Sequence, residues 1–496
     1  TTEGVHRVAQ RWLSQGELAV EVRPFPSYSV TESDVDRSSG PPEVTDFPSV
    51  DFPERQEAVL PNGLRVVLAE RRAVPVVELD LQVDAGYAAD QFGLPGTASL
   101  ALSMLDEGTE SRTALDISDE LERLGATLSA SSNVDMSSVS MSALTENLSE
   151  SLDLYADVIL RPSFPEAEFE RLRRQQLAGI EREKVQPVSM ALRVFPRLLY
   201  GENHAYGNPL TGSGTTESVS AMSLESLSDF HSTWFKPDNA TLVVVGDVTM
   251  EELVPALEAR FGDWSPGEVP DKNLGMVEHK SETVVYLIDR PDSEQSIIFA
   301  GHLAPPKDDA EDLEIEAMND ILGGGFTSRI NMNLREDKHW SYGAQSLLFD
   351  AAGQRPWFVY APVQTDKTSE SMAEIDEEIR GIRSGGERPP TAEELAKVQD
   401  KLTLTLPGRW ETNDAVLGDI VQMVRFGLPH DYWETFRPAV RSITLDDISA
   451  QADRVLRPDQ MVWVVIGDRA EIESDIRALE LGEIRHLDAD GNPVGR

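Results

Sequence analysis

The sequence contains no cysteine, which excludes disulfide scaffolds, thiolate zinc sites and cysteine nucleophiles. Basic residues are scarce as well: 44 lysines and arginines stand against 87 aspartates and glutamates, which leaves a formal net charge of −43. A charge of this sign repels nucleic acids and anionic membrane surfaces, so neither is an expected partner. It favours cationic partners such as basic peptide segments, although an acidic solvated surface is the simpler interpretation.

Local catalytic signatures are missing too. No two of the eight histidines stand at the spacing of an HxxxH or HxxEH pair, which would place two imidazoles on one helical face. Gly323, Gly324 and Gly325 are not followed by the Lys-Ser/Thr of a phosphate-binding loop, and no GxSxG elbow occurs. No apolar stretch approaches the ~18–20 residues of a membrane span. The residues alone therefore indicate a soluble, acidic protein without a self-contained active site.

An internal repeat organises the chain. Residues 236–247 read KPDNATLVVVGD and residues 457–468 read RPDQMVWVVIGD, at an offset of 221 positions. Each copy follows a helical pattern and consists of a Pro-Asp turn and a strand rich in β-branched residues that ends at Gly-Asp. The repeat predicts two homologous domains of about 220 residues each.

A partial third copy opens the chain. Residues 5–13 and 18–22 mimic the helix and the strand found within residues 448–465. They predict the closing helix and strand of a preceding unit, and residues 1–27 are assigned to its tail. The start at Thr1 rather than at a methionine is interpreted as the product of processing.

The other boundaries follow from composition. Residues 28–54, rich in Ser, Asp, Gly and Pro, predict a linker, and residues 268–275 predict a second one. The two homologous domains are assigned to residues 55–267 and 276–480, and residues 481–496 to a C-terminal tail.

Periodicity predicts the fold class. In the first domain, alternating strands at 63–68 and 76–83 precede helical patterns at 97–105, 113–124, 144–160 and 166–184. The second domain repeats this order, with a strand at 294–300, a helix at 310–322, strands near 342–364, and helices at 367–383 and 391–404. Strand pairs followed by helix pairs predict an α+β fold, in which each domain packs an antiparallel sheet against helices.

One segment of the first domain resembles a known family. Residues 96–109, GTASLALSMLDEGT, resemble the G-T-A-H-x-x-E-H-M-L-F-x-G-T segment of the pitrilysin/insulinase-type zinc peptidases. Ser99 and Ser103 stand where that family has its two zinc-binding histidines, and Leu102 stands where it has the glutamate base. The family's third ligand, a glutamate farther along, falls here at Gly179 or its neighbour Ala178. Because a catalytic zinc needs three protein ligands and a base for its water, the resemblance implies a degenerate motif that holds no metal.

The second domain resembles the same family in a different segment. Residues 327–343, TSRINMNLREDKHWSYG, resemble the family's S-R-L-x-x-x-L-R-E-x-x-x-x-x-Y stretch. The resemblance implies that Arg335 orients a substrate peptide carbonyl and that Tyr342 hydrogen-bonds the oxyanion as it forms. Gly323–Gly325 match the loop before this helix, where small residues let a peptide backbone approach. The structural alternative is an arginine paired with an acidic neighbour and a tyrosine in a strand.

The resemblance extends over about residues 55–480. Residues 200–210 resemble the family's Y-x-x-H-P-Y-G-x-P segment, and residues 234–240 resemble W-Y-x-P-N-N-A. Family members close two bowl-shaped halves, each built of two related domains, around a chamber for unfolded peptides. The resemblance therefore implies that this chain is one such half.

The expected activity depends on a partner. The resemblance implies a partner half with an intact HxxEH motif and the zinc, joined in a heterodimer or derived from one precursor. In that complex, Arg335 and Tyr342 would act in trans on peptide substrates, and this chain would contain no cofactor. The alternative is a catalytically inert structural or peptide-binding scaffold with the peptidase fold. A periplasmic or exported location is expected from family habit and the missing methionine.

Overall fold

A computed structural model describes residues 1–14, 16, 18–21, 40 and 51–495 of the chain. The chain forms two compact units, Thr1–Pro48 and Ser49–Arg496. In the first unit the described residues form one helix, α1 (Thr2–Leu13). The sheets and the remaining helices belong to the second unit.

The first half of the second unit contains six strands and eight helices within the described residues. The strands are β1 (Gln56–Val59), β2 (Arg65–Glu70), β3 (Val76–Val83), β4 (Thr127–Ser132), β5 (Ser137–Leu144) and β6 (Ala240–Gly246). The helices are α2 (Thr97–Ser103), α3 (Ala114–Leu124), α4 (Leu148–Leu160), α5 (Glu166–Glu183), α6 (Pro187–Tyr200), α7 (Thr216–Ala221), α8 (Leu224–Trp234) and α9 (Met250–Phe261).

The second half has a similar inventory. Its strands are β7 (Val284–Asp289), β8 (Gln295–Ala304), β9 (Gln345–Leu348), β10 (Arg355–Gln364), β11 (Val462–Gly467) and β12 (Glu483–Leu487). Its helices are α10 (Asp312–Asn319), α11 (Arg329–Asn331), α12 (Thr368–Gly381), α13 (Ala392–Leu404), α14 (Leu406–Arg409), α15 (Asn413–Phe426), α16 (Tyr432–Ser442), α17 (Leu445–Val455) and α18 (Arg469–Ala478).

Five of the six strands in each sheet share one topology, which confirms the α+β fold class with two related halves. The strand orders are β1-β2-β6-β3-β5-β4 and β12-β7-β11-β8-β10-β9. Each sheet is predominantly antiparallel but mixed, since β6 runs parallel to β2 and β11 runs parallel to β7. One edge strand differs between the sheets. In the first sheet β1 pairs with β2, whereas in the second the C-terminal β12 pairs with β7, the counterpart of β2.

The repeat found in the sequence is the closing helix and central strand of each sheet. A Ser or Thr cap with a capping box begins α8 and α17, and a short turn then leads into β6 and β11. These strands are buried on both faces between two neighbours, which suits their runs of β-branched residues.

Each half covers the other's sheet with a helix. Helix α6 from the first half packs on β8 and β11, and α15 from the second half packs on β3 and β6. At the first of these contacts, Phe195 meets Phe299 and Phe358 edge-on, with ring centroids 6.0 and 5.5 Å apart. The exchange joins both halves through continuous apolar cores.

A buried ionic joint completes this interface. The carboxylate of Asp135, in the β4–β5 turn, accepts hydrogen bonds from the Tyr206 hydroxyl (2.5 Å) and from the backbone N–H of Ala352 (3.1 Å). It also accepts one from Arg425 Nη2 on α15, at 3.0 Å. Arg425 Nη2 donates in addition to the Asp350 carbonyl, so this joint connects three separate segments to α15.

The ends of the expected domains differ in detail from the structure. Residues 483–487, assigned to a C-terminal tail, form β12 and pair with β7 in the second sheet. Most of the linker assigned to residues 28–54 lies outside the described residues. Its described end is packed, because Phe52 is buried against Trp410 and Trp433. Residues 268–275, all described, form neither helix nor strand.

The N-terminal segment follows its prediction in part. The predicted helix is present as α1. Of the predicted strand at 18–22, residues 18–21 are described and are not in a strand, and Val22 lies outside the described residues. No helix in the described part of the chain is long and apolar enough to cross a membrane.

The joint predicts a large effect of Asp135→Ala. The substitution leaves the largely buried Arg425 without its carboxylate and Tyr206 without its acceptor, so we expect a loss of about 3 kcal/mol in stability. Asp153→Ala is the matched control, since it breaks a 2.7 Å ion pair to Arg260 in which the aspartate is mostly exposed. We expect the control to change stability by less than ~1 kcal/mol. Calorimetry of thermal unfolding checks this prediction, and equal midpoints for the two variants would contradict it.

Candidate functional site

A cleft in the second half collects five of the residues singled out in the sequence. Its volume is about 390 Å³, and Gly323, Gly324, Gly325, Arg335 and Tyr342 all line it. The other lining residues are Phe326, Asn331, Gly343, Ala344, Gln345 and Tyr360. Residues from a glycine loop, a helical segment and a strand edge therefore meet at one place.

Two π-helical turns shape the cleft. Helix α10 continues into one at Asp320–Gly324, and α11 continues into another at Met332–Asp337. Such turns insert an extra residue into a helix and are frequent at functional sites. The first turn brings the glycine loop against β9: a Cβ on Gly323 would lie 2.5 Å from the Ser346 backbone nitrogen, so only glycine fits there.

Asn331 connects the loop to the edge strand. Its side-chain Nδ2 donates to the Phe326 carbonyl (2.5 Å), and its Oδ1 accepts from the Ala344 backbone N–H (3.1 Å). Because Asn331 is buried and both hydrogen bonds are internal, its role is to fix the two walls of the cleft.

Arg335 is held by stacking and is not sequestered. Its guanidinium lies 4.5 Å from the centre of the Phe326 ring, and its Nε is 3.4 Å from Glu336 Oε1. The Arg335 side chain is 35% exposed. An arginine stacked on an aromatic face keeps its in-plane N–H donors free, so Arg335 can donate to a carbonyl that enters the cleft.

Tyr342 projects from a fixed turn at the cleft edge and is 89% exposed. The hydroxyl of Ser341 donates to the Pro362 carbonyl at 2.6 Å and accepts from the Gly343 backbone N–H at 3.0 Å, which holds the backbone on both sides of Tyr342. Tyr360 supplies a second phenol in the cleft, and burial raises its pKa. Both phenols can therefore serve as hydrogen-bond donors.

This set of groups consists of hydrogen-bond donors without a general base. Among the described residues that line the cleft, none is a histidine, cysteine, aspartate or glutamate. A guanidinium and two phenols stabilise negative charge on oxygen, whereas hydrolysis also needs a base or a metal-bound water. The described lining of the cleft therefore offers donors for a charged or carbonyl oxygen and no residue that could act as a base.

The positions that the resemblance assigns to a degenerate zinc motif lie in the other half, on α2 and α5. The Ser99 hydroxyl donates to the Gly212 carbonyl at 2.7 Å, and the Ser103 hydroxyl donates to the Ser99 carbonyl at 2.9 Å. Leu102 is fully buried in the apolar core. The Cβ position of Gly179 faces open space. Ser99, Ser103 and Leu102 are thus engaged in local hydrogen bonds or in core packing.

The donor set at these positions does not fit zinc. Two neutral hydroxyls already engaged with carbonyls, one leucine and one glycine provide no imidazole and no carboxylate. Across the described residues as a whole, no group of three or more His, Cys, Asp or Glu side chains could hold a metal ion.

Asp90 anchors the start of the degenerate helix. It accepts hydrogen bonds from the backbone N–H groups of Gly96 (2.6 Å) and Ala98 (2.8 Å), at the N-terminus of α2. Complete burial raises the pKa of Asp90 to about 7, although the two N–H donors act in the opposite direction.

Sequence reasoning missed two residues that shape the cleft, Phe326 and Asn331. Phe326 directly follows the three glycines. Its position in a glycine-rich loop could have indicated an exposed aromatic side chain at the cleft. Asn331 carried no comparable signal, because its role depends on a hydrogen bond to a strand 13 positions away.

Each half of the chain matches the model of a known peptidase family. A family described as "Insulinase (Peptidase family M16)" matches residues 65–211, and one described as "Peptidase M16 inactive domain" matches residues 221–402. An uncharacterized zinc protease of Mycobacterium leprae is 27% identical over 331 residues, covering 66% of this chain and 73% of that protein. The β subunit of the rat mitochondrial-processing peptidase is 31% identical over 219 residues, which cover 43% of each chain.

Solved structures resemble the chain over most of its length. The peptidase M16 inactive domain from Pseudomonas fluorescens has a TM-score of 0.78 at 25% identity and covers 84% of this chain and 98% of that one. A protease from Helicobacter pylori has a TM-score of 0.74 at 20% identity and covers 84% of this chain and all of that one. The second likeness concerns the fold alone.

The buried carboxyl of Asp90 predicts a pH-dependent stability. Because its pKa is raised in the folded protein, its contribution is present in acid and is lost as the pH rises from about 4 to about 7. The advantage of the wild-type protein over Asp90→Asn in Tm should therefore shrink between pH 5 and pH 8. Asp116→Asn is the control, since the Thr113 hydrogen bonds lower the pKa of Asp116 and its effect should stay constant over this range. A constant difference for Asp90→Asn as well would contradict the prediction.

Proposed function

Because the chain belongs to the M16 (insulinase) family of peptidases, we propose that it is the half of a bipartite zinc metallopeptidase that carries no zinc. A partner half with an intact HxxEH motif would hold the metal. This chain would supply one wall of the chamber and two groups that act on the substrate, Arg335 and Tyr342.

The observation that carries the proposal is the division of chemistry within the chain. The cleft presents donors for a carbonyl and an oxyanion, while the residues at the degenerate zinc positions offer no metal ligand. Arg335 and Tyr342 can donate hydrogen bonds to a substrate oxygen, but the described lining of the cleft has no group that would generate charge on that oxygen. The arrangement is explained if another subunit holds the reacting peptide bond.

Each residue of the cleft has a defined role in this proposal. The zinc of the partner half would supply the activated water and polarise the scissile carbonyl. Arg335, stacked on Phe326, would donate to a substrate backbone carbonyl and orient the chain. Tyr342 would donate its phenolic proton in a hydrogen bond to the oxyanion. Gly323 and its two glycine neighbours would let the peptide backbone approach the loop.

The relatives support this assignment. Two similar proteins are named as a zinc protease and as one subunit of a processing peptidase, and the similar structure from Pseudomonas fluorescens is named as an inactive domain. A zinc-free half that assembles with a zinc-bearing one accounts for all three likenesses.

The alternative is an inert scaffold with the peptidase fold. That function is favoured if Arg335 is buried in a salt bridge. The partly exposed guanidinium and the long 3.4 Å separation from Glu336 instead support an arginine that is available to a ligand.

The first test concerns the metal and the partner. We expect the isolated chain to contain no stoichiometric zinc and to cleave no unfolded peptide. The complex with its HxxEH-bearing partner should contain stoichiometric zinc and should cleave unfolded peptides. Elemental analysis after dialysis, the mass and N-terminal sequence of copurifying chains, and a fluorogenic peptide assay measure these properties. Stoichiometric zinc with hydrolysis by the isolated chain would overturn the proposal.

The second test concerns the cleft residues. In the assembled complex, Arg335→Ala and Tyr342→Phe should each lower kcat/KM by roughly ten- to a thousandfold, which is the range for one lost transition-state hydrogen bond. Arg477→Ala is the control, because Arg477 is an exposed arginine on α18 that pairs with Glu473. Size-exclusion chromatography verifies that assembly is intact. Unchanged kinetics in both cleft variants would favour the inert scaffold.

A further inference from the structure

A pocket of about 340 Å³ lies where the first half meets the segment that follows β12. Arg193 and Arg197 of α6 line it, together with Glu217 from the first turn of α7. Asp490 and Asn492, which follow β12, belong to the same lining. None of the described residues that line this pocket also lines the cleft of the second half. It is therefore a separate concave site that both halves help to build.

Arg193 is buried in this pocket with one edge of its guanidinium unfilled. Its side chain is 3% exposed, and Nη1 donates to Glu183 Oε2 (2.8 Å) and to Ser213 Oγ (3.0 Å). The other edge, formed by Nε and Nη2, has no hydrogen-bond partner in the described part of the chain. Asp490 Oδ1 lies 3.7 Å from Nη2, which is too far for a hydrogen bond. This edge has the fork geometry that binds a carboxylate through two parallel N–H bonds.

The other two buried arginines that the structure describes use this edge for internal hydrogen bonds. Arg355 donates from Nε to a backbone carbonyl and from Nη2 to a buried aspartate. Arg55 also has an unpartnered Nε, but its Nη2 donates to the His430 carbonyl. Because a desolvated donor without a partner costs free energy, the wholly open fork of Arg193 indicates a group that binds there from outside the chain.

The segment after β12 brings Asp490 near the fork but pairs it with another cation. Asp490 Oδ2 lies 3.1 Å from Lys184 Nζ, closer than the 3.7 Å between its other oxygen and Arg193. Gly491 seats this segment on α6, since its φ is +78° and a Cβ there would lie 3.1 Å from the Val194 side chain. A carboxylate that enters the pocket can therefore take the fork while Asp490 keeps its pair with Lys184.

The acidic side chains of the pocket disfavour a ligand with negative charge alone. Glu202 is mostly exposed and lies 3.9 Å from Arg197 Nη1. The carboxylate of Glu217 has no ion pair or hydrogen bond within the residues that the structure describes. A positive group on the ligand would balance these carboxylates. The volume is at the lower end of the ~300–1,000 Å³ that small-molecule sites occupy, so the ligand is small.

We propose that this pocket binds a small zwitterion, a molecule with one carboxylate and one ammonium group, such as a free α-amino acid or a dipeptide. The carboxylate accepts from Nε and Nη2 of Arg193, and the ammonium group pairs with Glu217. Because α6 packs on β8 and β11 and Asp490 follows β12, a ligand in this pocket contacts both halves and stabilises their junction. The site does not depend on the function proposed for the cleft.

Thermal unfolding of the full chain detects the ligand. The probes are the standard L-amino acids and the dipeptide Ala-Ala, each at about 2 mM. We expect at least one of them to raise Tm by roughly 1–2 °C, as a ligand does at about tenfold above its Kd. The N-acetyl derivative of that probe lacks the ammonium group and its amide lacks the carboxylate, so neither should raise Tm. Tm values that no probe changes, or a shift that either derivative retains, would overturn the proposal.

Arg193→Lys tests whether the ligand occupies the fork. Lysine keeps a positive charge beside Glu183 but has no fork, so we expect the Kd of the responding probe, measured by isothermal titration calorimetry, to rise at least about tenfold. Arg55→Lys is the matched control, because the Arg55 side chain is equally buried and lines a different pocket. The control should leave Kd unchanged. Binding that is lost in the control and kept in Arg193→Lys would place the ligand at Arg55 and overturn the proposal.

Glu217→Gln tests the ammonium contact and decides the outcome if Arg193→Lys does not fold. Glu217 is exposed, so the substitution leaves the fold intact, and we expect the Kd of the same probe to rise about threefold or more. Glu225→Gln is the matched control, because Glu225 is exposed at the corresponding first-turn position of α8 and does not line the pocket. Equal Kd values for the two glutamine variants would contradict the proposal.

Discussion

The reciprocal exchange of helices between the two halves is the contact on which the other features depend. Helix α6 covers the second sheet and α15 covers the first, so neither sheet could bury both faces without the other half. The hydrogen-bonded carboxylate of Asp135 then fixes the direction of approach, because a buried ion pair with several partners tolerates little displacement. As a result, the cleft and helix α2 belong to two halves that share one apolar core.

Within this framework, equivalent positions carry different chemistry. In the first half, the helix packed against α8 carries two serines, Ser99 and Ser103, whose hydroxyls donate to backbone carbonyls. In the second half, the helix packed against α17 runs on into a π turn and the glycine loop, which open a cleft beside Arg335 and Tyr342. One supersecondary unit thus carries internally hydrogen-bonded serines in one copy and an open cleft in the other.

The sequence predicted the features that local patterns encode. The repeat at 236–247 and 457–468, most helices, and the association of Arg335 with Tyr342 all follow from periodicity or from matches within a short window. The exchange of α6 and α15 did not, because an amphipathic pattern shows that a face is buried but not which sheet covers it. Nor did β12, since a short strand with alternate exposed residues at the chain end resembles a tail. The role of Asn331 likewise depends on a long-range hydrogen bond that no local pattern encodes.

The exposure of Arg335 and Tyr342 indicates whether these residues serve folding or ligand binding. Arg335 and Tyr342 contribute little to the stability of the folded chain, since surface substitutions of this kind change stability by about 0.5 kcal/mol or less. Leu102 and Asn331, by contrast, are buried and have structural roles in core packing and in fixing the cleft walls. A guanidinium stacked on an exposed phenylalanine and a phenol held out from a fixed turn add little to the stability of the isolated chain. This arrangement supports the proposal that the two groups serve a substrate in the cleft and not the stability of the fold.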